Sequence, residues 1–401
     1  MSGPLDGIRV IDVTSMVSGP LATMMLADQG ADVVKVESPA GDHSRHVATR
    51  RGGFSASFVN NNRNKRSVVL DLKHTDGVKA LNRLAAGADV FVQNFRPGVA
   101  ERLGIGEEAI RAGNPGIIYA SICGFGFEGP YAQKPVFDPL IQALSGLTTV
   151  QAGSDERRPR LVRTILPDKL SAIQASQAIT AALFARERTG EGQSVRLSML
   201  DTVVFFLWSS DMGGHTFVGD ELETETAQSW IDLIYETADG YVSIAVMQDK
   251  DWRSLADALE CPDLLEDERF ATAALRDINK DARTRLTQEA VRPFTTRDVL
   301  ERLESRDVPC APVLTRREMI RHPQVVNNGI IFETEHPRAG TLRQARQPAV
   351  FSGTPARNRG GAPGHGEHTR EVLDEWGFTE DEIAALEAAG AATNDGSPLN
   401  D

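Results

Sequence analysis

Five short aliphatic and β-branched runs most constrain the fold of this 401-residue chain: RVIDVT from Arg9, ADVVKVES from Ala31, SVVLDL from Ser67, DVFVQNF from Asp89 and GIIYASIC from Gly116. They are largely apolar rather than alternating, as expected of strands buried on both faces of a parallel sheet. Between them, PLATMMLADQGA opens with Pro20 and closes with Gly30, and HTDGVKALNRLAAGA closes with Gly87, so both carry helix start and stop signals. The series reads as βαβ units, which build an open twisted α/β sheet.

The length exceeds one ordinary domain, so a large unit and a smaller one are expected. A long helix is predicted from about Pro167 to Arg188, its alanines suited to close packing. After Asp201 the apolar TVVFFLW gives way to GDELETETAQSW, and then to a strand pair around YETADGYVSIAV whose Asp239-Gly240 signals a hairpin. The expected organisation is a large α/β domain over 1–200, a linker over 201–224 and a small α+β domain over 225–325. Its helices are expected near Lys250 to Glu260, Arg283 to Val291 and Thr296 to Arg306. A return segment follows over 326–390, where Thr379 and Glu382 form a capping box, and then a disordered tail over 391–401.

A formal net charge of −13 argues against a nucleic-acid partner. No apolar run approaches bilayer-spanning length, MSGPLDGIRV lacks a signal-peptide layout, and Cys123, Cys261 and Cys310 stand far apart. A cytoplasmic protein with no membrane partner is expected. Basic residues nevertheless cluster between His43 and Lys73, where Arg45, Arg50, Arg51, Arg63, Lys65, Arg66 and Lys73 face only one acidic neighbour, Asp71. That stretch is either a solvated basic loop or a phosphate-binding mouth.

Gly124, Gly126 and Gly129 in CGFGFEGPYAQ have the spacing of a dinucleotide fingerprint. The fingerprint needs a helix opening at its third glycine, and Pro130, Pro135 and Pro139 stand there instead. These glycines are better read as a pocket wall at the carboxyl end of a strand. His365 and His368 lack companion ligands and are expected on a surface loop, so no metal is expected. Ser145 in QALSGL lacks the first glycine of a nucleophile elbow. Asp168 in ILPDKLSA begins a helix, whose positive end would keep it ionised; by spacing alone it is an N-cap or a carboxylate nucleophile.

NKRSVVLDLK, VQNFRPGVAERLG, SICGFGFEGPYA, RTGEGQSVRLSMLD, VPCAPV and GEHTREVLDEWG, with the N-terminal stretch from Pro4 to Arg45, resemble the class III CoA-transferases. That group includes the formyl-CoA and carnitine CoA-transferases, and the α-methylacyl-CoA racemases share its fold. The likeness runs in order from Pro4 to about Gly377. It implies a Rossmann-like large domain with a parallel sheet, made from both chain ends around a smaller α+β domain, and an interlocked homodimer. It implies that Asp168 attacks an acyl-CoA thioester, becomes an aspartyl-CoA thioester and passes CoA to an acceptor carboxylic acid, with CoA esters as substrates and no tightly bound cofactor. Positions matching CoA contacts are Met16, Val17, Ser18, Leu72, Lys73, Asn94, Phe95 and Arg102. Lys73 and Arg102 would meet phosphates; Phe95 would lie against the nucleotide or pantetheine, or in the core. Asp138, matching an acidic residue near the nucleophile, would orient acceptor or water, or only bond backbone amides. A histidine that the racemases carry before this aspartate is Phe137 here, and a glutamate of theirs aligns with Gln248. Transferase is therefore favoured over the racemase alternative, and a non-catalytic acyl-CoA-binding protein, which would tolerate loss of Asp168, stands as a further alternative. Ser38 in place of an arginine, and the lack of a tetraglycine loop between Gly219 and Tyr241, count against formyl or oxalyl specificity.

Overall fold

The computed structural model describes residues 3–226, 232–356 and 358–394. The chain divides into two units, one running to Glu225 and resuming at Ile330, the other Thr226–Gly329. The first is built on six parallel strands, β1 (Arg9–Asp12), β2 (Asp32–Glu37), β3 (Lys65–Leu70), β4 (Val90–Gln93), β5 (Ile118–Cys123) and β6 (Ser194–Ser198). Their spatial order is β3-β2-β1-β4-β5-β6, so the winding direction reverses between β1 and β4. In such sheets the crevice for ligands opens outside the carboxyl ends of the strands at that reversal.

Alternate strand residues feed two cores, which is why the runs are apolar throughout. Ile11, Val34, Val68, Phe91 and Tyr119 join the helix Thr75–Ala86 and the C-terminal helices on one face. On the other face Val10, Val33, Val90, Val92 and Ile118 meet α1 (Ser18–Asp28) and the long helix that begins at Leu166. Ala22 of α1 and Ala172, Ala175 and Ala182 of the long helix are buried in this second core, small side chains that let the two helices approach.

Three expectations are corrected. The stretch predicted as a disordered tail over 391–401 begins with a strand, Ala392–Thr393, paired antiparallel with Leu70 and Val69, and Ala391 and Ala392 are buried; residues 395–401 lie outside the described residues. Two residues in a polar context carry no periodic signal. The predicted linker opens as a helix, Met199–Trp208, packed in the first unit, with Val203 and Leu207 buried. His365 and His368 are not on a free surface loop: His365 Nε2 lies 3.0 Å from the Ser38 carbonyl, and His368 Nδ1 accepts the Ser67 amide. They tie the returning chain end to β2 and β3.

The second unit has a three-stranded antiparallel sheet in which Tyr241–Ile244 lies between Ile234–Glu236 and Cys310–Pro312. The Asp239-Gly240 turn joins the first pair. Helices Asp249–Ala258, Lys280–Val291 and Thr296–Glu304 cover a core around Trp252, Phe270 and Leu303. Gln248 sits just before the first of these, where its backbone N–H donates to the Asp251 carboxylate at 3.0 Å. Part of GDELETETAQSW, residues 227–230, lies outside the described residues. No helix among the described residues is long and apolar enough to cross a membrane.

Candidate active site

The loop after β1 is shaped by buried charge. Asp12 accepts from Thr14 N–H at 2.9 Å, Thr23 Oγ1 at 2.6 Å and Lys65 Nζ at 2.9 Å. Lys35, fully buried, pairs with Asp42 at 2.9 Å and donates to the Thr14 carbonyl at 2.9 Å. Asp42 Oδ1 in turn accepts the amide of Met16, a non-glycine residue at φ 70° in the left-handed region. Across the topological switch Asn94, following β4, exchanges two hydrogen bonds with the backbone of Ser15, at 3.0 and 2.8 Å. The loop therefore enters α1 in one fixed conformation. Its N-cap, Val17, has no side chain able to cap.

Asp168 approaches this helix end from another helix. It lies in the first turn of the helix Leu166–Thr189, whose N-cap is Ile165, so it does not cap its own helix. Its carboxyl instead faces the backbone N–H and hydroxyl of Ser18, the first residue of α1, which favour its charged form. Beside it Asp138, the first residue of the helix Asp138–Leu144 and 4% exposed, accepts the Asp168 amide on Oδ2 at 3.3 Å and the Gln142 amide on Oδ1 at 2.6 Å. Burial, then the neighbouring Asp138, push the Asp168 carboxyl up to about 6, against the opposing Ser18 bonds. The carboxyl is thus ionised at neutral pH, as expected of a group at a helix start, but its value lies above the ordinary range because lost hydration and a like charge outweigh the favourable helix end. Asp138 is itself shifted upward by burial, opposed by Gln142, the Asp168 amide and Lys169.

Asp168 and Asp138 share a cavity of about 210 Å³ with Met16, Val17, Ser18, Asn94 and Phe95, walled by Gly124 and Phe125 of the glycine loop. Gly124 allows this close approach: a Cβ there would stand 2.5 Å from the Val136 side chain. A second cavity of about 360 Å³, lined by Leu72, Lys73 and His43, shares Ser15 and Phe95 with the first. Phe95 also packs on the core under β4, so one part of the ring is core while another lines both cavities. Arg102 lines neither cavity; it is exposed at the end of the short helix Val99–Arg102, next to Leu103 of the second cavity.

A family model described as CoA-transferase family III matches residues 5–369. The chain belongs to that family. It is 34% identical over 383 residues to a succinate–glutarate CoA-transferase of Agrobacterium fabrum, covering 93% of this chain and 95% of that one. It is 35% identical to a succinyl-CoA:mesaconate CoA-transferase of Haloarcula hispanica, covering 94% and 97%. The crystal structure of a CAIB/BAIF family protein from Brucella suis superposes with a TM-score of 0.82 at 30% identity, covering 94% of this chain and all of the other.

Within this CoA-transferase most cations of the basic stretch are held in ion pairs. Arg45 is clamped to Glu37 at 2.8 and 2.6 Å, Arg63 to Asp28 at 2.9 and 2.6 Å, and Lys65 to Asp12 at 2.9 Å, all buried. Arg66 pairs with Asp32 and Glu375. Their acidic partners come from other segments, which a local charge count cannot see. Of the seven cations only Lys73 lines the second cavity. Sequence reasoning missed Cys123 and Lys134, which line the Asp168 cavity; Cys123 was findable as the last residue of a strand at the crevice. Burial pushes its thiol up to about 11, so it is protonated and unreactive at neutral pH. Among the described residues no three His, Cys, Asp or Glu side chains gather as a metal site.

Proposed function

We propose that this enzyme moves CoA between two carboxylic acids through covalent intermediates on Asp168. The observation that carries the reading is a partly buried carboxyl sharing one cavity with the Met16–Ser18 and Asn94–Phe95 loops, next to a second cavity reaching Lys73. An extended CoA ester would place its nucleotide and phosphates toward Lys73 and Arg102, and its thioester toward Asp168.

Asp168, ionised above about pH 6, attacks the acyl carbon; the C–S bond breaks and leaves a mixed anhydride and the CoA thiolate. The thiolate attacks the aspartyl carbonyl, releasing the first acid and leaving an aspartyl-CoA thioester. The acceptor carboxylate attacks that thioester, and the freed thiolate then takes the new acyl group from the second anhydride. Each step exchanges one acyl bond for another, so the thioester energy is kept if water stays out. Ser18 donors would meet the oxygen on which charge develops at the aspartyl carbonyl. Asp138 holds the amide of Asp168 and keeps a negative charge beside the nucleophile.

The relatives named above act, by their names, on succinate, glutarate and mesaconate esters, and a short dicarboxylic acyl group is the first donor to try here. Arg96 and Lys134, both exposed and lining the Asp168 cavity, would meet its distal carboxylate. The functional unit is proposed as a cytosolic homodimer. Racemisation is disfavoured because Phe137, at the cavity wall, has no proton to exchange.

The test is to incubate succinyl-CoA and glutaryl-CoA with a panel of free acids and to separate the CoA esters. New esters that vanish with Asp168→Asn support the reading. Deuterium entering the α-position of an ester without any CoA exchange would replace it by the racemase.

A further inference from the structure

Gln142 stands one helical turn after Asp138 and is 2% exposed. Both ends of its amide are used. Nε2 donates to Asp138 Oδ1 at 2.6 Å and lies 3.4 and 3.3 Å from the Val162 and Thr164 carbonyls; Oε1 accepts the Val162 amide at 2.9 Å. Val162 and Thr164 belong to the segment that runs directly into the Asp168 helix, and Asp138 Oδ2 accepts the Asp168 amide. The bonds close a ring: Gln142 to Asp138, Asp138 to Asp168, and the chain back through Thr164 to Gln142. Two like-charged carboxylates in one poorly hydrated pocket repel and would turn apart unless an amide donor holds one of them.

We infer that Gln142 is a positioning residue for the acyl exchange: it orients Asp138 and locks the segment before Asp168, so that the two carboxylates stay side by side. The inference rests on Asp168 being the nucleophile. It belongs to Gln142 rather than to packing alone, because a methionine would fill the same space yet leave Asp138 Oδ1 and the Val162 amide without partners. The charged or titratable groups around the pair are Lys169 on the Asp168 helix, and Arg96, Lys134 and Cys123 along the cavity wall. Among the described residues, Gln142 and the Asp168 amide are the groups that give Asp138 a hydrogen bond there.

The experiment measures kcat, KM for the acyl-CoA, the pH profile of kcat and the rate of CoA adduct formation on Asp168, for wild type, Gln142→Met and Gln142→Glu. Gln142→Met is expected to lower kcat by about ten- to a hundredfold with little change in KM, since a small misplacement of reacting groups is enough. Its acid limb should move down by about half a pH unit or more, because Asp138 without its donor takes up a proton and ceases to repel the Asp168 charge. Gln142→Glu keeps the Val162 contact and, when protonated, the donor to Asp138. Its rate relative to wild type at the same pH should therefore rise as the pH falls, which keeps the test decisive if the methionine variant does not fold. Wild-type kcat and pH profile in either folded variant would overturn the inference, as would a loss confined to thermal stability or KM. Absence of a CoA adduct on Asp168 in wild type would overturn instead the reading on which it rests.

Discussion

In the proposed reaction the Asp168 carboxyl attacks a thioester while ionised and poorly hydrated, a combination expected to weaken the fold. Its folded-state value of about 6 lies above the ordinary 3.8, so the folded chain binds this proton more tightly than the unfolded one. The associated stability is present below about pH 3.8 and is lost as the pH rises through 6. A shift of this size corresponds to about 3 kcal/mol at neutral pH. Asp168→Asn is therefore expected to melt at higher temperature than wild type at pH 7, with the difference gone by about pH 4, while losing about a thousandfold or more in turnover. Calorimetry across pH checks the first, and an unchanged or lower melting temperature at pH 7 would contradict it. Removing the like charge next door has the converse kinetic sign. Asp138→Asn should shift the acid limb of kcat/KM below about 6, read from initial rates between pH 4.5 and 8, and a limb that stays in place would exclude Asp138 as the source of the shift.

At the scale of elements, the loop between β1 and α1 depends on ions that no local pattern announces. Asp42→Ala removes the partner of a fully buried Lys35 and the acceptor of the Met16 amide together. It is expected to destabilise the chain by about 3–5 kcal/mol and to raise KM for the CoA ester, whereas Asp42→Asn keeps the Met16 bond and should spare KM more than stability. Equal KM effects in the two variants would contradict this account of the loop. The same elements show what was legible in the chain. β1 to β5 announce themselves because both faces are buried and their runs are apolar. β6, SVRLS, does not, because Arg196 faces solvent at the sheet edge and breaks the run. Met199–Trp208 reads as the start of a linker because an apolar stretch resembles a change of domain. Asp168, Met16 to Ser18 and Asn94 lie up to 152 positions apart, and spacing cannot join them. Resemblance to a family named them, and only the three-dimensional structure brings them to one cavity.

For the whole molecule, the first unit carries apolar side chains that a single chain leaves uncovered: Phe184 is 59% exposed, Phe205 74% and Trp208 51%, on the two packed helices Leu166–Thr189 and Met199–Trp208. A second copy of the chain is the proposed cover. Light scattering after gel filtration should give twice the mass of one chain, and Phe205→Glu should shift it toward the monomer; a wild-type monomer at micromolar concentration would contradict the dimer. The central claim, however, concerns one bond. Protein incubated with succinyl-CoA or glutaryl-CoA without acceptor, quenched and digested, should yield a peptide carrying CoA in thioester linkage on Asp168, discharged when an acceptor acid is added. Turnover of the same ester at full rate with no label on Asp168, or with the label on Asp138, would contradict it.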